Sequence, residues 1–281
     1  MNKVLTSLNE AAALVKDGDT VTISGAFFEQ APMALIRAII RRGVKDLNVV
    51  VAAHGIAVDI LIGAGSVKSV TGAYIGFEGY GLAPNFRRGV EEGWLELRES
   101  ACFAIASAIK AAALGLPFLP LKGLFGSDLE KLRTEYRTYQ WNGEEVLLVP
   151  AIKPDVCLVH AHRADAEGNV QTKGSSWDDT LAEAADRVIV TVEEIVSTEE
   201  IRRTPELTKI PGFVTTAIVE VPYGAHPTGC PFVYDFDENH VKHYLEIGET
   251  AEGFQKYLKE YVYGPKTYDE YLQEVGLSVP A

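Results

Sequence analysis

Pro154-Asp155-Val156-Cys157-Leu158-Val159-His160-Ala161-His162-Arg163-Ala164-Asp165-Ala166-Glu167-Gly168-Asn169-Val170-Gln171 is the stretch on which the fold turns. Within it, residues 156–159 are a short continuous apolar block, opened by Pro154 and Asp155. A run of that length without polar alternation suits a strand covered on both faces of a sheet. Polar and turn-forming residues then crowd together: His160, His162, Arg163, Asp165, Glu167, Gly168 and Asn169. They predict that the strand stops abruptly after Val159. Ligands of open α/β sheets sit outside the carboxyl ends of strands, so this end is either the rim of a site or a solvated turn.

Strand and helix patterns alternate on either side of that block. Ser7 suits the N-cap of a helix over 8–16, and 21–24 reads as a strand broken by Gly25. Residues 32–42 carry Met33, Leu35, Ile36, Ile39 and Ile40 at helical spacing, with Gly43 where a helix end favours it. Strands are predicted over 47–52 and 67–73, and helices over 57–62, 85–92 and 101–114. This alternation implies an α/β fold: an open, mainly parallel sheet with helices on both faces. The second half is more mixed, with strands over 146–149, 187–192 and 214–221. Helices over 238–247 and 252–261 follow, the latter placing Phe254, Tyr257 and Tyr261 on one packing face. Residues 172–179 and 202–212 are the longest irregular stretches, read as surface loops or contact arms. With no internal repeat or low-complexity linker, residues 1–281 are expected to form a single domain.

Composition narrows the function. Hydrophobic residues make up 47% and charged ones 23% of the chain, which is ordinary for a globular protein. A net charge of -13 argues against nucleic acid as a partner. No apolar stretch is long enough for a membrane span, and no signal peptide is apparent. Cys102, Cys157 and Cys230 are odd in number and scattered, which suits a reducing cytoplasm; the first two read as core residues.

Three strand ends carry the candidate chemistry. In Gly25-Ala26-Phe27-Phe28-Glu29-Gln30-Ala31-Pro32, the glycine permits a sharp turn and the proline suits the first turn of a helix. Loop N–H groups and the helix N-terminus could then converge on a phosphate or an oxyanion; a plain connecting loop is the alternative. The third strand runs into Tyr74-Ile75-Gly76-Phe77-Glu78-Gly79-Tyr80-Gly81. Glu78 there is either a contact for a polar group, even a general acid or base, or an exposed loop acid. His160 and His162 fall on one side of a strand, but no cysteine or carboxylate has supporting spacing. No metal is expected, and they are read as bonding a turn. Glu193-Glu194 and Glu199-Glu200 read as solvated faces.

The opening stretch, as P-D-V-x-L-x-H-A followed by A-D-x-x-G-N, resembles the family I coenzyme A transferases. So do Asp17-Gly18-Asp19-Thr20-Val21 leading into Ser24-Gly25-Ala26-Phe27, the run Leu116-Pro117-Phe118-Leu119-Pro120, Glu193-Glu194-Ile195-Val196 and Pro222-Tyr223-Gly224-Ala225-His226-Pro227. Their order along nearly the whole chain carries the likeness, which is nearest to the A (α) subunits of glutaconate-type transferases and their CoA-ester hydrolase relatives. The resemblance implies the coenzyme A transferase fold and a CoA thioester as substrate, with no permanently bound cofactor. It also implies that the partner is a B (β) subunit. Nucleophile-bearing chains of that family end their second strand in Glu, followed by Ser or Asn and then Gly. Here the strand ends Ala52-Ala53-His54-Gly55, so no catalytic residue is expected in this chain and the glutamate is expected on the partner. Gly25, Ala26, Phe27, Phe28, Glu78 and Gly79 are the substrate-binding residues the resemblance implies, and residues 121–128 correspond to a flexible glycine-bearing loop. CoA is itself an anion, and Arg41-Arg42 and Arg87-Arg88 are the basic clusters available to it. A CoA-ester hydrolase, including a ring-opening one, and a non-catalytic CoA-ester binding protein are the alternatives. Some hydrolase relatives carry a glutamate near the start of the long helix, where this chain has Cys102, with Glu99 a little earlier.

Overall fold

The computed structural model describes residues 4–173 and 177–278. From the amino terminus, α1 (Leu8–Ala12) leads to β1 (Thr20–Ile23) and α2 (Met33–Arg41) to β2 (Leu47–His54). Next come α3 (Ile56–Gly63), β3 (Val67–Ile75), α4 (Pro84–Glu91), β4 (Glu96–Glu99) and α5 (Cys102–Ala113). An excursion follows through β5 (Phe118–Leu121), α6 (Asp128–Leu132), β6 (Arg137–Trp141) and β7 (Glu144–Pro150). The chain returns through β8 (Val156–Ala164), β9 (Val170–Gln171), α7 (Asp178–Ala184) and β10 (Arg187–Ile195). It then forms α8 (Thr198–Arg203), β11 (Thr208–Ile210) and β12 (Ala217–Glu220), and closes with α9 (Glu238–Gly248), α10 (Ala251–Leu258) and α11 (Tyr268–Glu274).

Among the described residues, nine strands share one sheet. Its parallel part has the order β12-β10-β8-β1-β2-β3-β4, and β9 and β11 extend it as antiparallel strands. Strand order therefore reverses between β1 and β8, the position where open α/β sheets leave a crevice. Asp155 locks that junction: its Oδ2 accepts the Thr20 N–H at 2.7 Å, and its own N–H donates to Thr20 O at 2.8 Å. Both faces of the sheet are covered, so side chains alternate between two cores. Val156 and Leu158 pack with apolar residues of α2, α3 and α10, whereas Cys157 and Val159 pack with those of α5 and α7. A second sheet, β5-β7-β6, is antiparallel and rests Leu121, Leu147 and Val149 on Ala104 and Ala108 of α5. Among the described residues, no helix is long and apolar enough to cross a membrane.

The structure corrects several boundaries. β8 does not stop at Val159 but runs to Ala164, because β10 pairs with it from Arg187↔Val156 to Ile195↔Ala164. His160 and His162 are thus strand residues, both buried, and not part of a turn. α1 ends at Ala12, earlier than predicted, although Ser7 does cap it, in a reciprocal pair with Glu10. α7 and α8 lie partly within the stretches read as irregular, and residues 174–176 of the first stretch fall outside the described residues.

Candidate functional site

The carboxyl ends of β1, β2 and β3 meet. Gly25 has φ 82°, and a Cβ there would lie 2.2 Å from Glu29 O, so the turn needs glycine. The loop closes on itself through Ala26 N–H to Glu29 O at 3.0 Å and Glu29 N–H to Ala26 O at 2.8 Å. Gln30 N–H donates to Gly229 O, Ala31 N–H to Thr228 Oγ1, and Ala34 N–H to Gly224 O. The first two amides of α2, Met33 to Ala31 O and Ala34 to Gly224 O, are thus bonded within the protein. The N–H groups of Phe27 and Phe28, at the loop tip, have no partner among the described residues. Phe27 meets Tyr74 edge-on with ring centroids 5.8 Å apart, and Phe28 stacks on Phe236 at 4.7 Å and meets Tyr80 at 6.2 Å. Gly55 lies so close that a Cβ would sit 2.8 Å from Phe27 O and 3.2 Å from Gly76 O. Glu78 and Gly79 are exposed, in a short 3-10 turn with Glu78 at φ 48°. Tyr80 of that turn donates its hydroxyl to Glu238 at 2.8 Å. On the α5 side, a cavity of about 120 Å³ is lined by Gly25, Ala26, Ala52, Ala53, Ile105 and Trp177, among others.

His54 ends β2 and is buried. Its Nδ1 accepts the Gly55 N–H at 3.1 Å, so Nε2 carries the proton and donates to Ser24 O at 3.2 Å. Burial lowers its pKa to about 4, against a smaller upward pull from Ser24 O, and the ring is neutral at physiological pH. Both ring nitrogens are therefore engaged. Cys102, read from sequence as core, is instead exposed at the start of α5, with Sγ 3.6 Å from Ala52 O.

A larger cleft, about 640 Å³, opens beside β8 and β10 and is lined by His162, Arg163, Lys173, Glu193, Tyr223 and Tyr234, among others. Sequence reasoning missed its central acid. Glu193, read as part of a solvated face, accepts from His160 Nε2 at 2.8 Å, the Tyr234 hydroxyl at 2.7 Å and the Tyr223 N–H at 2.7 Å. Burial would raise its pKa, but the bonds and charge of His160, with those of Tyr234 and Tyr223, outweigh it and hold Glu193 below the usual range. Burial pushes the neighbouring Cys230 thiol up to about 12, assisted by the Glu193 charge. His162 is tied to Thr172 Oγ1 at 3.1 Å and Pro231 O at 2.7 Å. The spacing of Glu193 from the histidines gave no signal, because its partners come from distant segments.

Among the described residues, two sets of ligating atoms lie within 4.8 Å of one another: His160 with Glu193 and Cys230, and His226 with Asp237 and His240. The carboxylates that sequence spacing failed to supply thus arrive through the fold. The basic clusters have structural partners: Arg41 donates to Val262 O, Arg42 to Ala12 O, and Arg88 to Gly248 O and Glu249 O.

Residues 5–221 match the family model described as Coenzyme A transferase. The chain is 37% identical to the A subunit of glutaconate CoA-transferase from Acidaminococcus fermentans, over 98% of this chain and 92% of that protein. The crystal structure of that organism's glutaconate coenzyme A-transferase matches with a TM-score of 0.93 at 35% identity, covering 97% of this chain and 93% of that one. An uncharacterized protein of Archaeoglobus fulgidus is 40% identical over 98% of this chain, which spans 62% of that protein's length. The cholesterol ring-cleaving hydrolase IpdA subunit of Rhodococcus jostii is 33% identical over 94% of this chain and 93% of that protein. Together with the parallel sheet and its converging strand ends, these matches make this chain a member of the coenzyme A transferase family, of the A-subunit type.

Proposed function

We propose that this chain is the A subunit of a heteromeric CoA transferase whose nucleophilic glutamate belongs to a partner subunit. The carrying observation is His54: it ends the strand on which nucleophile-bearing chains carry glutamate, and both its nitrogens are engaged. In the reaction, the partner's glutamate attacks the acyl-CoA thioester carbonyl and expels CoA thiolate, leaving a mixed anhydride. The thiolate attacks the glutamyl carbonyl, releasing the donor acid and forming a glutamyl-CoA thioester. The acceptor acid then reverses both steps, taking CoA and regenerating the glutamate. This is covalent catalysis through a carboxylate nucleophile. The present chain supplies one wall of the pocket. Gly25, Ala26, Phe27 and Phe28 form it together with Glu78 and Gly79, and the N–H groups of Phe27 and Phe28 are donors suited to a thioester oxyanion. A cytoplasmic location fits the three unpaired cysteines.

The hydrolase relative supports a second reading, in which water replaces the acceptor acid. Co-expression with the partner chain, followed by CoA release measured with and without an acceptor acid, separates the two. Strict dependence on the acceptor is expected, and equal release without it would establish the hydrolase instead. Glu78→Ala in the complex is expected to change kcat/KM between polar and apolar acyl groups about tenfold, with CoA affinity unchanged. Identical kinetics for every acyl group would remove Glu78 from the pocket.

A further inference from the structure

The turn after β12 and the start of α9 bring together two imidazoles and a carboxylate that the transfer reaction does not use. His226 and His240 are buried, and the Asp237 side chain is 35% exposed. We propose that His226, Asp237 and His240 form a site for a first-row divalent transition ion, zinc foremost, which pins this turn to α9.

The geometry is that of a site with its outer contacts already made. The Tyr271 hydroxyl lies 2.7 Å from His226 Nδ1 and 3.4 Å from His226 O, and so fixes that ring nitrogen. His226 Nε2 is hydrogen-bonded to Asp237 Oδ2 at 3.2 Å, a bond that an ion held by both atoms would replace. Two ligands of a tetrahedral ion with bonds near 2.1 Å are about 3.4 Å apart, close to the observed separation. His240 has its Nε2 on the Tyr257 hydroxyl at 2.8 Å, which leaves Nδ1 as its ligand atom. Each imidazole thus has its second nitrogen fixed by a tyrosine, the arrangement that orients metal-binding histidines. Asp237 Oδ1 is held by the His240 N–H at 2.9 Å, and the half-exposed carboxylate gives an entry path and room for a water as fourth ligand.

One neighbour selects among ions. The Arg37 guanidinium donates to His226 O and lies 3.6 Å from the centroid of the Tyr271 ring, so a fixed positive charge is close. A hard ion such as magnesium or calcium gains too little from two nitrogens and one carboxylate to overcome it. Zinc, cobalt and nickel bind imidazole strongly. The role is positional. The same turn holds the first candidate loop, through Ala34 N–H to Gly224 O and Gln30 N–H to Gly229 O.

The test uses the full chain without an affinity tag, dialysed against Zn²⁺ or Co²⁺, with bound metal quantified and the cobalt absorption spectrum recorded. One ion per chain and a cobalt spectrum of nitrogen and oxygen ligands are expected. Asp237→Asn keeps a good helix N-cap and is expected to weaken binding at least roughly tenfold. Tyr257→Phe, which removes only an outer contact, serves if Asp237→Asn fails to fold, and a similar weakening is expected. Absence of bound metal, affinity unchanged in the folded variants, or an intense thiolate band assigning the ion to Cys230 would each overturn the proposal.

Discussion

His54 ends β2 with both ring nitrogens engaged, and its environment makes it a structural residue. Its folded pKa of about 4 lies below the ordinary 6.5, because burial penalises the charged ring. Between those two values the unfolded chain binds more protons than the folded one. The contribution of His54 to stability is therefore complete above about pH 6.5 and is lost as pH falls toward 4. Asp59 works with the opposite sign: burial raises its carboxyl against the downward pull of its bonds to Tyr244, Phe86 and Asn85. The difference between wild type and His54→Gln isolates the histidine. Thermal unfolding from pH 7 to pH 4 is expected to show a shallower loss of Tm in the variant, and parallel curves would contradict this. At this scale, sequence was readable where a constraint is local. Gly25 and the residues after it were placed because a glycine ending an apolar run has few other meanings. Glu193 was not, because its burial depends on His160, Tyr223 and Tyr234, which approach only in the folded chain.

Elements with a buried apolar face were the legible ones. β1, β2, β3, β10 and α2 are full of residues that must leave water, and their periods show it. β4 was missed because Glu96-Leu97-Arg98-Glu99 is an edge strand that is mostly exposed, and β6 because every one of its residues is exposed. β8 was read too short for the converse reason, since its polar second half is buried against β10 with its side chains hydrogen-bonded. The β1–α2 loop gives a prediction at this scale. Gly25→Ala adds a clash with Glu29 O to an unfavourable φ and is expected to cost more than about 2 kcal/mol. Gly43→Ala shares a positive φ but meets nothing within 4 Å, and should cost only about 1 kcal/mol. Urea unfolding of both variants checks the contrast, and equal midpoints would show that the loop relaxes freely.

The whole molecule has the architecture of a coenzyme A transferase subunit of the A type. The isolated chain is expected to lack transferase activity, and activity should appear on mixing with the partner, with both chains co-eluting in size-exclusion chromatography. Robust turnover by the isolated chain would contradict the reading of His54. Large apolar side chains left in water, with Phe213 at 91% and Phe232 at 82% exposure, make self-association of the lone chain expected. The sheet also sets the order in which the protein can be made. β1 is central, yet its neighbour β8 lies far along the chain: the hydrogen bond from Thr20 to Asp155 spans 135 residues. During synthesis β1 therefore leaves the ribosome long before β8, and the half-sheet β1-β2-β3-β4 waits with its innermost strand as an open edge. Such an edge invites pairing with other nascent chains until residue 156 and those beyond it emerge to cover it. The junction that creates the crevice in the finished protein is thus also the place where an unfinished one is most exposed to misassembly.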